Sequence, residues 1–219
     1  MATVNRIALA AVAAALAGPI GCDLFRPAVP EPPVIAPCSA DVAIDLRDPD
    51  AVLETLAEAI AARDCGNGEQ AYVQTFADSA ADGIPFRATF ADEVVEARQQ
   101  AGLPVPVWDL KLERSFYGDF VRLYDTGYRL TWSQDSSRTD VVDLQTGEAT
   151  IHRRYDVEQV EDNETQGPIA VGYADLSMRR ITDSRWVIVQ WSDRIDVRIG
   201  VAPADPGRRS LGEWRLETQ

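Results

Sequence analysis

The chain has 219 residues, 46% of them hydrophobic and 26% charged, which is ordinary globular usage and argues against a disordered chain. Thirty-five acids against 21 bases leave a net charge of −14, a balance that speaks against a nucleic-acid partner, because phosphate binding needs clustered cations. One His and three Cys with no C-x-x-C pair exclude a His-rich metal site and a zinc ribbon, so no metal or cofactor is expected.

Residues 1–21 read as a secretory signal. Arg6 supplies the positive start, and Ile7 to Ile20 form an apolar stretch shorter than the roughly 20 residues a spanning helix needs. Two cleavage readings compete. Ala15-Leu16-Ala17 is an A-x-A site, whereas Pro19-Ile20-Gly21-Cys22 resembles a bacterial lipobox, with Pro19 standing where Leu is usual. Residues 27–37 then hold five Pro in eleven positions. Such a segment adopts extended polyproline II at about 3.1 Å per residue, a spacer of roughly 34 Å. A signal, a Cys and a stiff tether over 22–37 point to a lipoprotein of the bacterial cell envelope. Cys22 would carry the lipid, and a domain over 38–219 would lie outside the cytoplasm. With Cys22 so used, Cys38 and Cys65 remain as an even pair for a disulfide.

Asp48-Pro49-Asp50 opens a helix by the rules: an Asp N-cap, Pro at the first position and an acid in the first turn. Val52, Leu53, Leu56, Ala59 and Ile60 carry one apolar stripe to about Arg63. A short helix is expected near Glu69–Ala77 and a short strand over Ile84–Phe90, with Ile84, Phe86, Ala88 and Phe90 on one face. Ala91–Ala101 is polar and reads as one or two exposed helical turns. Trp108, Leu112, Phe116, Phe120 and Tyr124 fall four apart, which predicts a helix over 108–124. From residue 127 the period becomes two, and Tyr128, Leu130 and Trp132 alternate with polar residues. Val141–Leu144 is a brief strand or loop. Long strands are expected over 148–160, 168–181 and 185–197, the first two joined by a loop over 161–167. Leu211–Leu216 reads as a short terminal strand. Helices first and strands after is the pattern of an α+β domain with helices on one face of an antiparallel sheet.

This order resembles the nuclear transport factor 2-like superfamily, which includes ketosteroid isomerases and polyketide cyclases. The residues that carry the resemblance are the first helix PDAVLETLAEAIAARD (49–64), the segment EQAYVQTFAD (69–78) and the late strand RWVIVQWSDR (185–194). The resemblance implies a cone-like half-barrel: N-terminal helices packed in the concave face of a curved antiparallel sheet, with a cavity at the open end. It implies no common activity.

Chemistry-bearing residues are few. On the strand at 148–160, Ile151, Arg153, Tyr155 and Val157 share the apolar face, and His152 points outward among charges. Pairing 148–160 with 168–181 about residue 164 sets Arg153 opposite Asp175, Tyr155 opposite Tyr173 and Val157 opposite Val171. The Arg153–Asp175 pair reads either as a structural ion pair at the cone's rim or as a polar spot in a ligand cavity. On the second reading Trp132, Arg153, Tyr155, Tyr173 and Asp175 are the candidate cavity residues, and no catalytic residue is assigned. An Asp beside an Arg makes a poor base near neutrality. The expected function is a non-catalytic module that binds a small apolar ligand or a partner at the cone mouth. The alternative is an isomerase- or dehydratase-like enzyme using the same cavity. A homodimer through the outer sheet face is a further expectation. The cysteine pairing is checked directly: thiol counting under denaturing, non-reducing conditions should find neither Cys38 nor Cys65 free, and the bridge should contribute roughly 3–4 kcal/mol.

Overall fold

A computed structural model describes residues 41–63, 65–124, 126–162, 164–196 and 209–219. The chain divides into two units, Met1–Pro37 and Cys38–Gln219, and all the described residues lie in the second. The signal, the tether, Cys22 and Cys38 lie outside the described residues; Cys65 lies within them and is disulfide-bonded.

The first helix, α1 (Pro49–Ala62), begins where its cap requires, with Asp48 Oδ1 accepting from the Ala51 N–H at 2.9 Å. Its stripe of Val52, Leu53, Leu56, Ala59 and Ile60 is buried. After α2 (Gly68–Gln74) come β1 (Arg87–Thr89), α3 (Asp92–Gln100) and α4 (Leu110–Phe120). The helix read over 108–124 is shorter at both ends, because Asp109 caps it, accepting from the Leu112 N–H at 3.1 Å. That cap leaves Trp108 outside the helix, in a bridge to Ala88. The end of α1 is tied to the end of α4: Arg63 donates to the carbonyls of Val121 at 3.0 Å and Tyr124 at 2.9 Å.

The remaining strands are β2 (Gly127–Gln134), β3 (Val141–Asp143), β4 (Glu148–Glu161), β5 (Glu164–Thr182) and β6 (Arg185–Arg194). They form an open, curved sheet in the order β1-β6-β5-β4-β2, with β3 also on β4, and the helices cover its concave face. The fold is α+β as expected, with one correction to the sheet. It is mixed rather than antiparallel, because β1 runs parallel to β6, Ala88 opposite Trp191. Register shifts interrupt β4–β5 between Val157 and Glu158 and again between Gln159 and Val160, and β5–β6 near Ser177 and Arg180. Each inserts backbone on one strand only, which bends the strand and raises its twist.

The hairpin between β4 and β5 is tighter than the expected loop over 161–167. Glu161 pairs with Glu164, and Asp162 takes φ 51 in the turn, a conformation an Asp tolerates better than most residues. This shift has consequences for every cross-strand pair. Arg153 lies opposite Ala174, Tyr155 opposite Gly172 and Val157 opposite Ala170, while His152 takes the place across from Asp175.

The last element is a helix, α5 (Leu211–Glu217), not the expected strand. Ser210 and Glu213 close a capping box: the Ser210 hydroxyl accepts from the Glu213 N–H at 3.1 Å, and Glu213 accepts from the Ser210 N–H at 2.6 Å. The helix buries Leu211, Gly212, Arg215 and Leu216, spaced for one helical face and not for one side of a strand. Removing the cap should cost stability with no loss of packing: Ser210→Ala should lower the unfolding free energy by about 1 kcal/mol in urea titrations.

Candidate functional site

The concave face of the sheet carries a buried polar centre. Glu113, on α4 one turn after the cap, is fully buried. Four donors meet its carboxylate. Tyr72 Oη from α2 lies at 2.6 Å from Oε1, and Trp108 Nε1 at 2.7 Å from Oε2. Arg215 of α5 supplies the other two, Nη2 to Oε1 at 2.7 Å and Nε to Oε2 at 2.9 Å. This is a forked, two-point ion pair with side chains 1% and 0% exposed. The guanidinium also lies over aromatic rings, 4.3 Å from the centroid of Trp191 and 5.4 Å from that of Phe116. Burial works against the Arg215 charge, but Glu113 outweighs it and holds the guanidinium above its ordinary pKa. Burial, followed by the Glu113 charge, pushes the Tyr72 hydroxyl well above the usual range and keeps it neutral.

A second buried group adjoins the first. Asp193, near the end of β6, is 3% exposed. Tyr155 Oη donates to its Oδ1 at 2.6 Å, and the Gly212 N–H of α5 donates to its Oδ2 at 3.1 Å. The Tyr155 oxygen accepts in turn from the Leu211 N–H at 2.8 Å. Burial raises the Asp193 carboxyl above the usual range, against the opposing pull of Tyr155, Arg215, Ser210 and Gly212. Burial and the neighbouring Asp193 likewise push Tyr155 well up.

Two glycines make this geometry reachable. A Cβ on Gly172 would fall on the Tyr155 ring and 2.9 Å from the Arg194 carbonyl, so only Gly lets Tyr155 cross β5 to Asp193. A Cβ on Gly212 would sit 2.5 Å from Asp193 Oδ2, so only Gly lets α5 dock there.

The five candidate cavity residues divide between two faces. Trp132 and Tyr155 lie together on the concave side, ring centroids 6.2 Å apart, with Trp191 at 5.8 and 6.3 Å. Trp132 is anchored there by donating Nε1–H to the Leu53 carbonyl at 3.0 Å. Arg153 shares that face but lies at its end, where it donates to Asp140 at 2.5 Å and to Asp50 at 2.9 Å. Tyr173 and Asp175 lie on the opposite face. The expected Arg153–Asp175 pair does not form, because the tight turn and the two bulges offset the register by one residue and so reverse the face.

Asp175 belongs instead to a charged network on the outer face. His152 Nδ1 lies 2.7 Å from Oδ1, Arg138 donates to Oδ2 at 2.6 Å, and Arg194 donates to Oδ1 at 3.0 Å. Arg194 also donates to Asp135 at 2.9 Å and lies 5.1 Å over the ring of Tyr173. Burial would raise the Asp135 carboxyl, but the hydroxyl and N–H of Ser137 and the Arg194 guanidinium outweigh it and hold it far below the usual range.

Solvent-facing clefts occur elsewhere. One of about 500 Å³ lies between the start of α1 and β3–β4, lined by Asp45, Asp48, Asp50, Asp140 and Arg153 among others. Another of about 470 Å³ is lined by Arg87, Lys111 and Arg114 with Asp78 and Asp109. Among the described residues, no group of three or more His, Cys, Asp or Glu is arranged to hold a metal.

Sequence reasoning missed Glu113, Asp193 and Arg215. Glu113 carried a signal: it sits on the same helical face as Phe116 and Phe120, an acid inside an apolar stripe. The S-x-x-E run at 210–213 is the capping-box pattern and marked α5 as a helix. Asp193 gave none, since its face depends on the irregularity in the β5–β6 ladder.

No protein-family model matches the chain, and no curated protein matches it. Solved structures similar to it share little sequence. A protein of unknown function from Mycobacterium tuberculosis is 12% identical over 77% of this chain and 90% of its own, with a TM-score of 0.47. A nuclear transport factor 2-like protein with a cystatin-like fold, from Novosphingobium aromaticivorans, is 11% identical over 68% and 80%, with a TM-score of 0.42. ActVI-ORFA from Streptomyces coelicolor is 14% identical over 65% and 91%, with a TM-score of 0.43.

The buried pair sets a clear expectation for stability. Glu113→Ala and Arg215→Ala should each cost about 3–5 kcal/mol, because each strands a buried charge. Replacing both with apolar residues, Glu113→Leu with Arg215→Met, should recover part of that loss in denaturant unfolding, the remainder reflecting the Tyr72 and Trp108 donors left without an acceptor.

Proposed function

We propose that this chain is a membrane-anchored lipoprotein whose domain is a non-catalytic module for binding a ligand or partner on the concave side of a nuclear transport factor 2-like fold. One observation carries the non-catalytic half. Of the two buried carboxylates of the concave face, Glu113 accepts four hydrogen bonds and Asp193 has each oxygen held by a donor, and the groups that engage them include the chain's own C-terminal helix. A general base needs a lone pair directed at substrate, and here Arg215, Tyr72 and Trp108 occupy those of Glu113, while Tyr155 and Gly212 each take one on an oxygen of Asp193, which burial turns away from solvent. The outer-face carboxylate Asp175 is likewise held by His152, Arg138 and Arg194. The anchoring half rests on the sequence alone: the apolar leader, Gly21-Cys22 and the proline-rich tether.

An enzyme of isomerase or dehydratase type remains the second reading, favoured by Asp193, a buried carboxyl with a raised pKa beside a tyrosine hydroxyl. The two halves are tested separately. Mass spectrometry of membrane-extracted protein should show a diacylglyceryl group on Cys22, and Cys22→Ser should release the chain; a soluble mature chain beginning at Gly18 removes the anchor. Small carbonyl and hydroxylated compounds that raise the melting temperature should be recovered chemically unchanged after incubation. Consumption of such a compound, abolished by Asp193→Asn, replaces the module with the enzyme.

A further inference from the structure

The Glu113 site has the composition of a receptor, and its occupant comes from the end of the same chain. Tyr72 on α2 and Trp108 before α4 orient the carboxylate, so its direction is set without any help from α5. Trp191 on β6 and Phe116 on α4 present their ring faces to the cation. Every group of this box lies outside Leu211–Glu217, and only the guanidinium lies within it. A carboxylate offering both oxygens to a planar fork, between aromatic rings, is a chemistry that selects guanidinium over ammonium.

The resident fit is incomplete. Arg215 Nη1 and Trp191 Nε1 are both buried without a hydrogen-bond partner among the described residues. Neither N–H finds an acceptor among the described residues to offset its burial, so the docked state of α5 is weaker than its two-point ion pair suggests. The helix itself has seven residues, too few to persist away from its docking surface. The net charge of −14 draws cations toward the molecule in general.

We propose that the box formed by Glu113, Tyr72, Trp108, Trp191 and Phe116 is a guanidinium-binding site. Arg215 is its tethered occupant, and an external guanidinium, free or on the arginine side chain of a peptide, takes its place. The inference rests on reading the domain as a binding module and names the ligand class of that module. Exchange of one guanidinium for another leaves Glu113 paired in both end states, and Asp193 keeps its Tyr155 donor when the Gly212 N–H departs with α5. Both steps are non-covalent, and α5 undocks as the ligand enters.

The test is amide hydrogen exchange on the full chain at constant ionic strength, with three probes: L-argininamide, L-lysinamide and the peptide acetyl-Trp-Arg-Leu-amide. Argininamide, the peptide or both should speed exchange across 211–217 by roughly tenfold or more, while lysinamide leaves it unchanged. The probe that acts at the lower concentration distinguishes a free guanidinium compound from a peptide as the source. A second measurement uses Arg215→Ala, which removes the atoms of ethylguanidinium beyond Cβ. Ethylguanidinium should bind this variant about tenfold more tightly than wild type, and should not bind Glu113→Gln/Arg215→Ala. Should Arg215→Ala fail to fold, the exchange experiment on wild type decides alone. If neither guanidinium probe changes exchange across 211–217 in wild type, Arg215 is a permanent structural strut and the proposal falls, even where ethylguanidinium fills the variant. That failure leaves the binding-module reading intact, since the module is overturned only by turnover of a bound compound.

Discussion

A carboxylate and a guanidinium taken wholly out of water organise this domain. Burying either charge alone is prohibitive, so a buried Glu113 requires a guanidinium beside it, and Arg215 supplies that group and holds α5 against α4. Glu113 fixes α4 against α2 through Tyr72 and against the loop before α4 through Trp108. Arg215 brings α5 onto the same centre and stacks on β6 through Trp191. An apolar core tolerates small shifts of its helices, but a four-donor carboxylate does not, because each displaced donor is left dry. The pair therefore contributes specificity of packing more than net stability.

The curved sheet makes room for that centre, and its irregularities aim the groups around it. Bulges in β4–β5 bend the sheet over the helices and fix which residues face inward. Gly172 opens the space through which Tyr155 reaches Asp193, and Gly212 lets the start of α5 approach the same carboxylate. Asp193 thus holds the N-terminus of α5, where backbone N–H groups lack partners within the helix, while Arg215 holds its middle. Arg98 of α3 completes the attachment by donating to the Leu216 carbonyl. The concave side combines aromatic rings with a few oriented polar groups, the composition of a recognition surface. The outer side combines Asp135, His152, Asp175 and Arg194 into a paired charge network that faces solvent at its margin.

Sequence patterning and three-dimensional pairing divide the account cleanly. The start of helix α1 was legible to the residue, because an Asp cap, a Pro at the first position and a 3.6-residue stripe are local signals that need nothing else from the chain. The period-two segments were legible as strands for the same reason, and so was the inward face of β4, where Ile151, Tyr155 and Val157 are buried. The order of helices before strands sufficed for an α+β domain.

What tertiary structure alone decided is register and partnership. A turn tighter than composition suggested, together with two bulges, moved Asp175 from Arg153 to His152 and so from the concave face to the outer one. One residue of slip reverses a side chain's face, and no local pattern records where a ladder slips. The parallel pairing of β1 with β6 joins segments about a hundred residues apart in sequence, Ala88 to Trp191, beyond the reach of any periodicity. Glu113 and Arg215 likewise lie 102 positions apart. Glu113 alone reads as an acid inside an apolar stripe and Arg215 as a charge in a short terminal segment, and only the closure of the fold removes water from both and makes them one group.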